Sequence, residues 1–255
     1  MKLLTTSLLL MGNVLFAQTN FIEEFNKKGL PVEGGEWSFK ADINPRQTSW
    51  NKICPGDGYA YLVVDSDLTN DMDETNPYQT ITVNSVGPGH RLEVKMKGIA
   101  VQGLVGFIFT YEESNEIFNE IDIEIVPDDA KTLPENHDID TPNGWTDARF
   151  NSWGNASVST ETPYDGLFKA ITDSTGKKIS LIDDKFHVYA IDWYKDKIDF
   201  FIDGVHQHTI TKAVATNASD VILGFRDLAW AGEMKWQGTK TLVIDWLKVT
   251  PLKNN

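Results

Sequence analysis

The stretch Glu120-Ile121-Asp122-Ile123-Glu124 constrains this chain more than any other, because acids alternate there with branched apolar residues. In an extended strand successive side chains point to opposite faces. Glu120, Asp122 and Glu124 therefore share one face, while Ile121 and Ile123 point the other way, into a core. A row of carboxylates is costly, since each like-charged neighbour disfavours ionisation of the others. Two readings account for it. A solvated strand of an acidic protein has the same alternation. The other is chemical: a pair of carboxyl groups, one an acid/base and one a nucleophile or base, is what cleavage of a glycosidic bond uses.

The chain has 255 residues, enough for one large β domain with a sizeable core. Its net charge of -14 leaves no basic stripe to neutralise phosphates, which argues against a nucleic-acid partner. Met1 to Ala17 reads as a secretory signal: Lys2 gives a positive start, Leu3 to Phe16 are mostly apolar, and Ala17 before Gln18 is a cleavage point. That run is too short to span a membrane, and the expectation is a secreted or periplasmic protein with no membrane partner. The single cysteine, Cys54, has no intramolecular disulfide partner, so stability rests on the core.

Strand signals recur at Tyr59–Val64, Thr80–Val83, Arg91–Met96, Val105–Tyr111, Phe118–Val126, Phe186–Trp193, Lys197–Ile202 and Leu242–Val249. Turn residues punctuate them at Pro55-Gly56-Asp57-Gly58, Gly87-Pro88-Gly89 and Asp203-Gly204. No long helical periodicity competes. The pattern predicts an all-β, jelly-roll β-sandwich of the concanavalin A-like kind with a concave substrate cleft, as a single domain over residues 18–255. Two loops stand out. Asp65–Asn76 is acidic but fails the EF-hand pattern, with Asn70 and Asn76 where glycine and glutamate are required, and reads as a solvated loop. Pro127–Asp147 is long and polar, follows the acidic strand directly and is placed to wall a cleft.

Downstream, Phe186-His187-Val188-Tyr189-Ala190-Ile191-Asp192-Trp193 runs into Ile198-Asp199-Phe200-Phe201-Ile202-Asp203-Gly204 as a hairpin, and Ile244-Asp245-Trp246-Leu247-Lys248-Val249 closes the chain. In this order, with the acidic strand upstream, the chain resembles glycoside hydrolase family 16, the jelly-roll endo-glycanases related to lichenases and laminarinases. The resemblance implies a retaining enzyme in which Glu120 is the nucleophile, Glu124 the general acid/base, and Asp122 tunes their ionisation from between them. Positions i and i+4 of a strand lie about 13 Å apart at Cα. Glutamates leaning together on a concave sheet bring their carboxyls to the roughly 5 Å that retention needs. Glu124 must then stay protonated to donate, and Glu120 ionised to attack.

The lack of an insertion between Asp122 and Glu124 resembles the lichenase and xyloglucan-modifying branches and favours a β-1,3/1,4-glucan. Two departures stand beside that. Phe118 occupies a position where lichenases have tryptophan, and Ile222-Leu223-Gly224-Phe225-Arg226-Asp227-Leu228-Ala229-Trp230 replaces a Met-Asn-Leu-Trp stretch. Arg226 is placed to bond hydroxyls or a charged sugar. By resemblance Asn151 and Trp153 contact the glycan, with Trp145 and Trp230 as weaker candidates. For Trp153 a core or rim position is an equal reading; Trp193 and Trp246 read as core packing, and His187 as a cleft or a structural histidine. The chemistry requires no cofactor. Many relatives hold a structural calcium with an aspartate of the closing strand; Asp245 matches it, and Gly58 resembles one carbonyl donor.

The reading is thus a secreted retaining endo-β-glycanase, a monomer acting on a polysaccharide. Transglycosylation on the same glycans and a non-catalytic, lectin-like carbohydrate-binding domain are the alternatives, because fold does not imply activity.

Overall fold

The computed structural model describes residues 20–29, 39–43, 50–65, 79–101, 103–126, 145–226, 228–231 and 238–253. The expected leader Met1–Ala17, residues 66–76 of the acidic loop and residues 127–144 of the long loop lie outside the described residues.

In chain order the strands are Phe21–Glu23 (β1), Phe39–Ile43 (β2), Ala60–Asp65 (β3), Gln79–Val86 (β4), His90–Lys97 (β5), Ala100–Val101 (β6), Leu104–Ser114 (β7) and Ile117–Ile125 (β8). They continue with Asp147–Ser157 (β9), Thr162–Ala170 (β10), His187–Trp193 (β11), Ile198–Ile202 (β12), Val205–Ile210 (β13), Ser219–Arg226 (β14) and Thr239–Pro251 (β15). Helical structure among the described residues is confined to one turn at Trp50–Ile53 and a 3₁₀ turn at Ala229–Ala231. Every strand pairing among the described residues is antiparallel. One sheet runs β1-β15-β5-β11-β12-β13 with β3 beside β15, and the other runs β10-β9-β8-β7-β14-β4-β2 with β6 beside β7. The fold is an all-β jelly-roll sandwich, as the sequence predicts, and the acidic strand β8 lies in the interior of the eight-stranded sheet.

Alternation builds the layer between the sheets. Ile121, Ile123 and Ile125 of β8 are fully buried and join Leu92, Val94 and Met96 of β5 and Tyr189, Ile191 and Trp193 of β11 in one cluster. Burying each such isoleucine is worth about 1.5–3 kcal/mol, so the inward register of β8 is strongly held. Trp193 is in the core as expected, and its indole Nε1–H donates to Ala215 O at 2.7 Å. Cys54 is also buried, and burial pushes its thiol up to about 12, which keeps it protonated and inert.

Trp246 does not follow its expectation. The ladder between β15 and β5 slips between Ile244 and Trp246, so Asp245 is an extra residue without a partner on β5. Ile244 faces the core, Trp246 lands opposite Lys95 on the outer face, and Leu247 returns inward. A bulge of this kind shifts every later side chain by one face, and nothing in strict alternation announces it.

His187 settles as a structural residue of the other sheet. Its Nδ1 is 2.7 Å from Asp203 Oδ2 and its Nε2 is 3.1 Å from Asp183 Oδ1. The hydrogen bond to Asp203 raises its pKa above the usual histidine range, with burial opposing. A pKa raised in the folded state gives stability that is complete below the unfolded value, about 6.5, and is lost as pH rises through the folded value. The melting-temperature gap between wild type and His187→Gln is therefore expected to be wider near pH 5.5 than near pH 9. A gap that stays constant with pH would sink this account.

Candidate active site

The cleft is built on one face of the eight-stranded sheet, and the strand register lines its side chains up in rows. Glu120 lies across from Trp153 of β9 and Tyr111 of β7, Asp122 across from Asn151 and Phe109, and Glu124 across from Arg149 and Phe107. On the edge strand, Tyr164, Gly166 and Phe168 extend the same rows from Trp153, Asn151 and Arg149. Together with Phe118, Val158, Glu161, Ile222 and Arg226, the three acids line a cleft of about 430 Å³.

The acids are not a solvated stripe. Asp122 is 4% exposed and Glu124 7% exposed, which removes the bland reading of the alternation. Buried carboxylates need partners, and Glu124 has two: Oε2 accepts from Arg149 Nη1 at 2.9 Å and from Asn151 Nδ2 at 3.1 Å. Burial raises Glu124 above the usual carboxylate range while the Arg149 guanidinium holds it back. Burial also raises Glu120, to about 7, against a hydrogen bond from Asp122 that lowers it. Asp122 is pushed well above its usual range by burial and by both glutamates. Three neighbouring carboxyls with raised values cannot all ionise near neutral pH. Arg149 is the cation in contact with Glu124, while Glu120 and Asp122 are hydrogen-bonded to each other.

Arg149 was not anticipated, although its signal is present. Ala148, Phe150 and Ser152 are buried in the sheet interior, while Arg149, Asn151 and Trp153 alternate outward. Ser152 and Gly154 in an inward series hide that period. Ser152 is tolerated because its hydroxyl donates to Ala213 O at 2.7 Å. A Cβ at Gly154 would meet Val214 O at 2.5 Å, so this position needs glycine. The ladder slips here, between Phe118 and Glu120, with the extra residue on β9. From Glu120 to Ile125 the pairing on both sides of β8 is continuous, as the absence of an insertion implied. Tyr164 was missed because Pro163 and Gly166 argue against a strand, yet β10 is an edge strand, where both are tolerated.

A chain of aromatic rings runs from Tyr111 and Phe118, which line the cleft, across the same sheet face to Trp153 and Tyr164. Tyr111 and Phe118 are 5.9 Å apart between centroids, Phe118 and Trp153 5.7 Å, and Trp153 and Tyr164 4.2 Å. Trp230, from the 3₁₀ turn, packs edge-on to Phe168 at 5.7 Å, and Arg226 is an exposed residue on the cleft wall. Trp145 lies under Lys178, whose Nζ is 4.2 Å from its ring, and is not among the cleft-lining residues. Asp245 and Gly58 belong to the other sheet and its approach. Asp245 Oδ2 is 2.7 Å from Lys95 Nζ, so its charge is already neutralised by an ammonium. That arrangement does not fit a calcium ion at Asp245, and no group of three or more His, Cys, Asp or Glu side chains among the described residues suits a metal.

These features define a jelly-roll sandwich whose cleft face carries buried carboxylates flanked by aromatic rings. The chain belongs to glycosyl hydrolases family 16, whose model matches residues 62–248. Among relatives, β-glucanase of Brevibacillus brevis is 26% identical over 171 residues, covering 64% of this chain and 56% of that protein. β-Glucanase of Bacillus subtilis (strain 168) is 26% identical over 168 residues, covering 62% of this chain and 57% of that protein. The chain thus spans just over half the length of these relatives. The structure of Bacillus licheniformis β-glucanase superposes with a TM-score of 0.61 at 18% identity, covering 92% of this chain and 99% of that one, a likeness of fold.

Proposed function

We propose that this chain is an endo-acting, retaining hydrolase of a β-linked polysaccharide, with a β-1,3/1,4-glucan as the first candidate substrate. The observation that carries this reading is the burial of Asp122 and Glu124 beside the half-buried Glu120 on one cleft face, an arrangement that binding alone does not need. In the proposed cycle Glu120 attacks the anomeric carbon and Glu124 protonates the departing oxygen. Water activated by Glu124 then hydrolyses the glycosyl-enzyme. Asp122, which donates a hydrogen bond to Glu120, keeps the proton of the pair so that Glu120 attacks as a carboxylate. Phe118, Trp153 and Tyr164 offer ring faces for pyranose units, and Trp230 and Arg226 flank them. No cofactor enters the reaction. The relatives named β-glucanase support the substrate class, and export by the Met1–Ala17 leader and action as a monomer belong to the same proposal.

The test is reducing-end release by the purified chain on mixed-linkage β-glucan, laminarin, xyloglucan and agarose. Release from mixed-linkage glucan supports the proposal. Binding without release on all of these would favour the lectin-like alternative, and product chains longer than the substrate would favour transglycosylation.

Gly166 provides a finer check on the sugar-facing rings. A Cβ there would lie 2.0 Å from the Tyr164 hydroxyl and 2.5 Å from its Cζ, so alanine must displace the ring. Because Tyr164 is an exposed edge residue, Gly166→Ala is expected to fold normally and to raise KM several-fold with kcat less affected. An unchanged KM would mean that Tyr164 does not touch substrate.

A further inference from the structure

Arg149 is the most heavily engaged cation of the cleft. Besides Glu124, its Nη2 donates to the Tyr164 hydroxyl at 3.2 Å. Its guanidinium carbon lies 5.7 Å from the Tyr164 ring centre, 5.6 Å from Phe168 and 5.7 Å from Trp230. Its Nε is buried without a partner. Its two terminal nitrogens are divided between the acid and Tyr164, so the guanidinium ties Glu124 to the edge strand β10. The planar fork and the ring faces around it hold the guanidinium in one orientation, as arginine does and lysine does not.

We propose that Arg149 is a positioning residue for the general acid, fixing which oxygen of Glu124 carries the proton and how high in pH the proton is kept. This rests on the reading of Glu124 as acid/base. Arg149 and Asn151 both donate to Oε2, so an acid proton has Oε1 to occupy, and the donating atom is defined before substrate arrives. The charged groups facing Glu124 are Asp122 and Glu120 from its own strand, Arg149 from β9 and Arg226 from β14; β7 presents Phe107. The carboxyls and burial favour the protonated acid, while the arginines favour the carboxylate. Arg149 alone among them is hydrogen-bonded to Glu124. Removing it therefore lets Glu124 keep its proton to higher pH, and the alkaline limb of the rate profile, which reports loss of that proton, must move up.

The experiment compares wild type, Arg149→Gln and Arg149→Lys. Opposite charges in contact shift a carboxyl by about one to three units, so the alkaline limb of kcat/KM is expected to rise by at least about one unit in the glutamine variant. In the lysine variant, which restores the charge, the limb is expected to stay nearer wild type, while kcat falls because the fork is lost. Carbon NMR titration of the Glu124 side-chain carboxyl, in the free protein, is expected to move in the same direction. An alkaline limb and a carboxyl titration that are the same in all three proteins would overturn the proposal, even if activity fell. The carboxyl titration needs no substrate. A shift in it without hydrolysis of any polysaccharide would uphold the ion pair's control of Glu124 and place the failure in the proposed reaction instead.

Discussion

Glu120→Gln is expected to lower hydrolysis by a factor on the order of 10⁴ or more while leaving glycan binding intact, because it deletes the nucleophile without changing shape. The fold gives this prediction its force. Glu120 lies at the middle of β8 with paired strands on both sides, and Ile121 beside it is fully buried. The backbone that carries the amide is therefore held in place. The variant also loses one of three crowded acids, so it is expected to be no less stable than wild type, since neutralising one carboxyl relieves its neighbours. Kinetics together with a binding isotherm check both halves. Loss of binding along with activity would mean that Glu120 holds the glycan rather than attacking it.

Glu124→Ala is expected to have the second largest effect, and a selective one. Protonation of a leaving group contributes typically about 10²–10⁴-fold, so polysaccharide hydrolysis is expected to fall within that range. Aryl glycosides whose leaving group departs without a proton are expected to lose far less. A small anion such as azide, entering the space left by the side chain, is expected to restore turnover of the activated substrate and to yield a glycosyl azide of retained configuration. Equal losses on both substrate types would remove Glu124 from the acid role. The variant also strips Arg149 of its partner. A buried guanidinium left without its carboxylate is destabilising, so a lowered melting temperature is expected too.

How far these residues could be read in advance follows from how local their signals are. Glu120, Asp122 and Glu124 announce themselves because strict alternation with isoleucine fixes both faces of β8 at once. The hairpin of β11 and β12 is equally local, and its residues pair as their pattern implies, Tyr189 opposite Ile202 through Trp193 opposite Ile198. What alternation cannot carry is a bulge. The extra residue at Asp245 turns Trp246 outward, and the slip on β9 at Gly154 and Asn155 obscured a strand that supplies Arg149 and Asn151 to the acid. Pairing between strands distant in sequence is the second gap. Nothing near Glu124 in the chain says that Arg149 lies opposite it, 25 residues away. For the same reason Asp245, read beside Gly58, did not reveal Lys95 as its cation.

The central claim is that Glu120 and Glu124 of one strand act as nucleophile and acid/base of a double displacement. The most direct measurement is proton NMR of the reducing end released in the first minutes of polysaccharide hydrolysis, before mutarotation mixes the anomers. The account predicts that the β anomer appears first and the α anomer only later. If the α anomer appears first, the bond is cleaved by a single inverting displacement, and Glu120 is not a nucleophile.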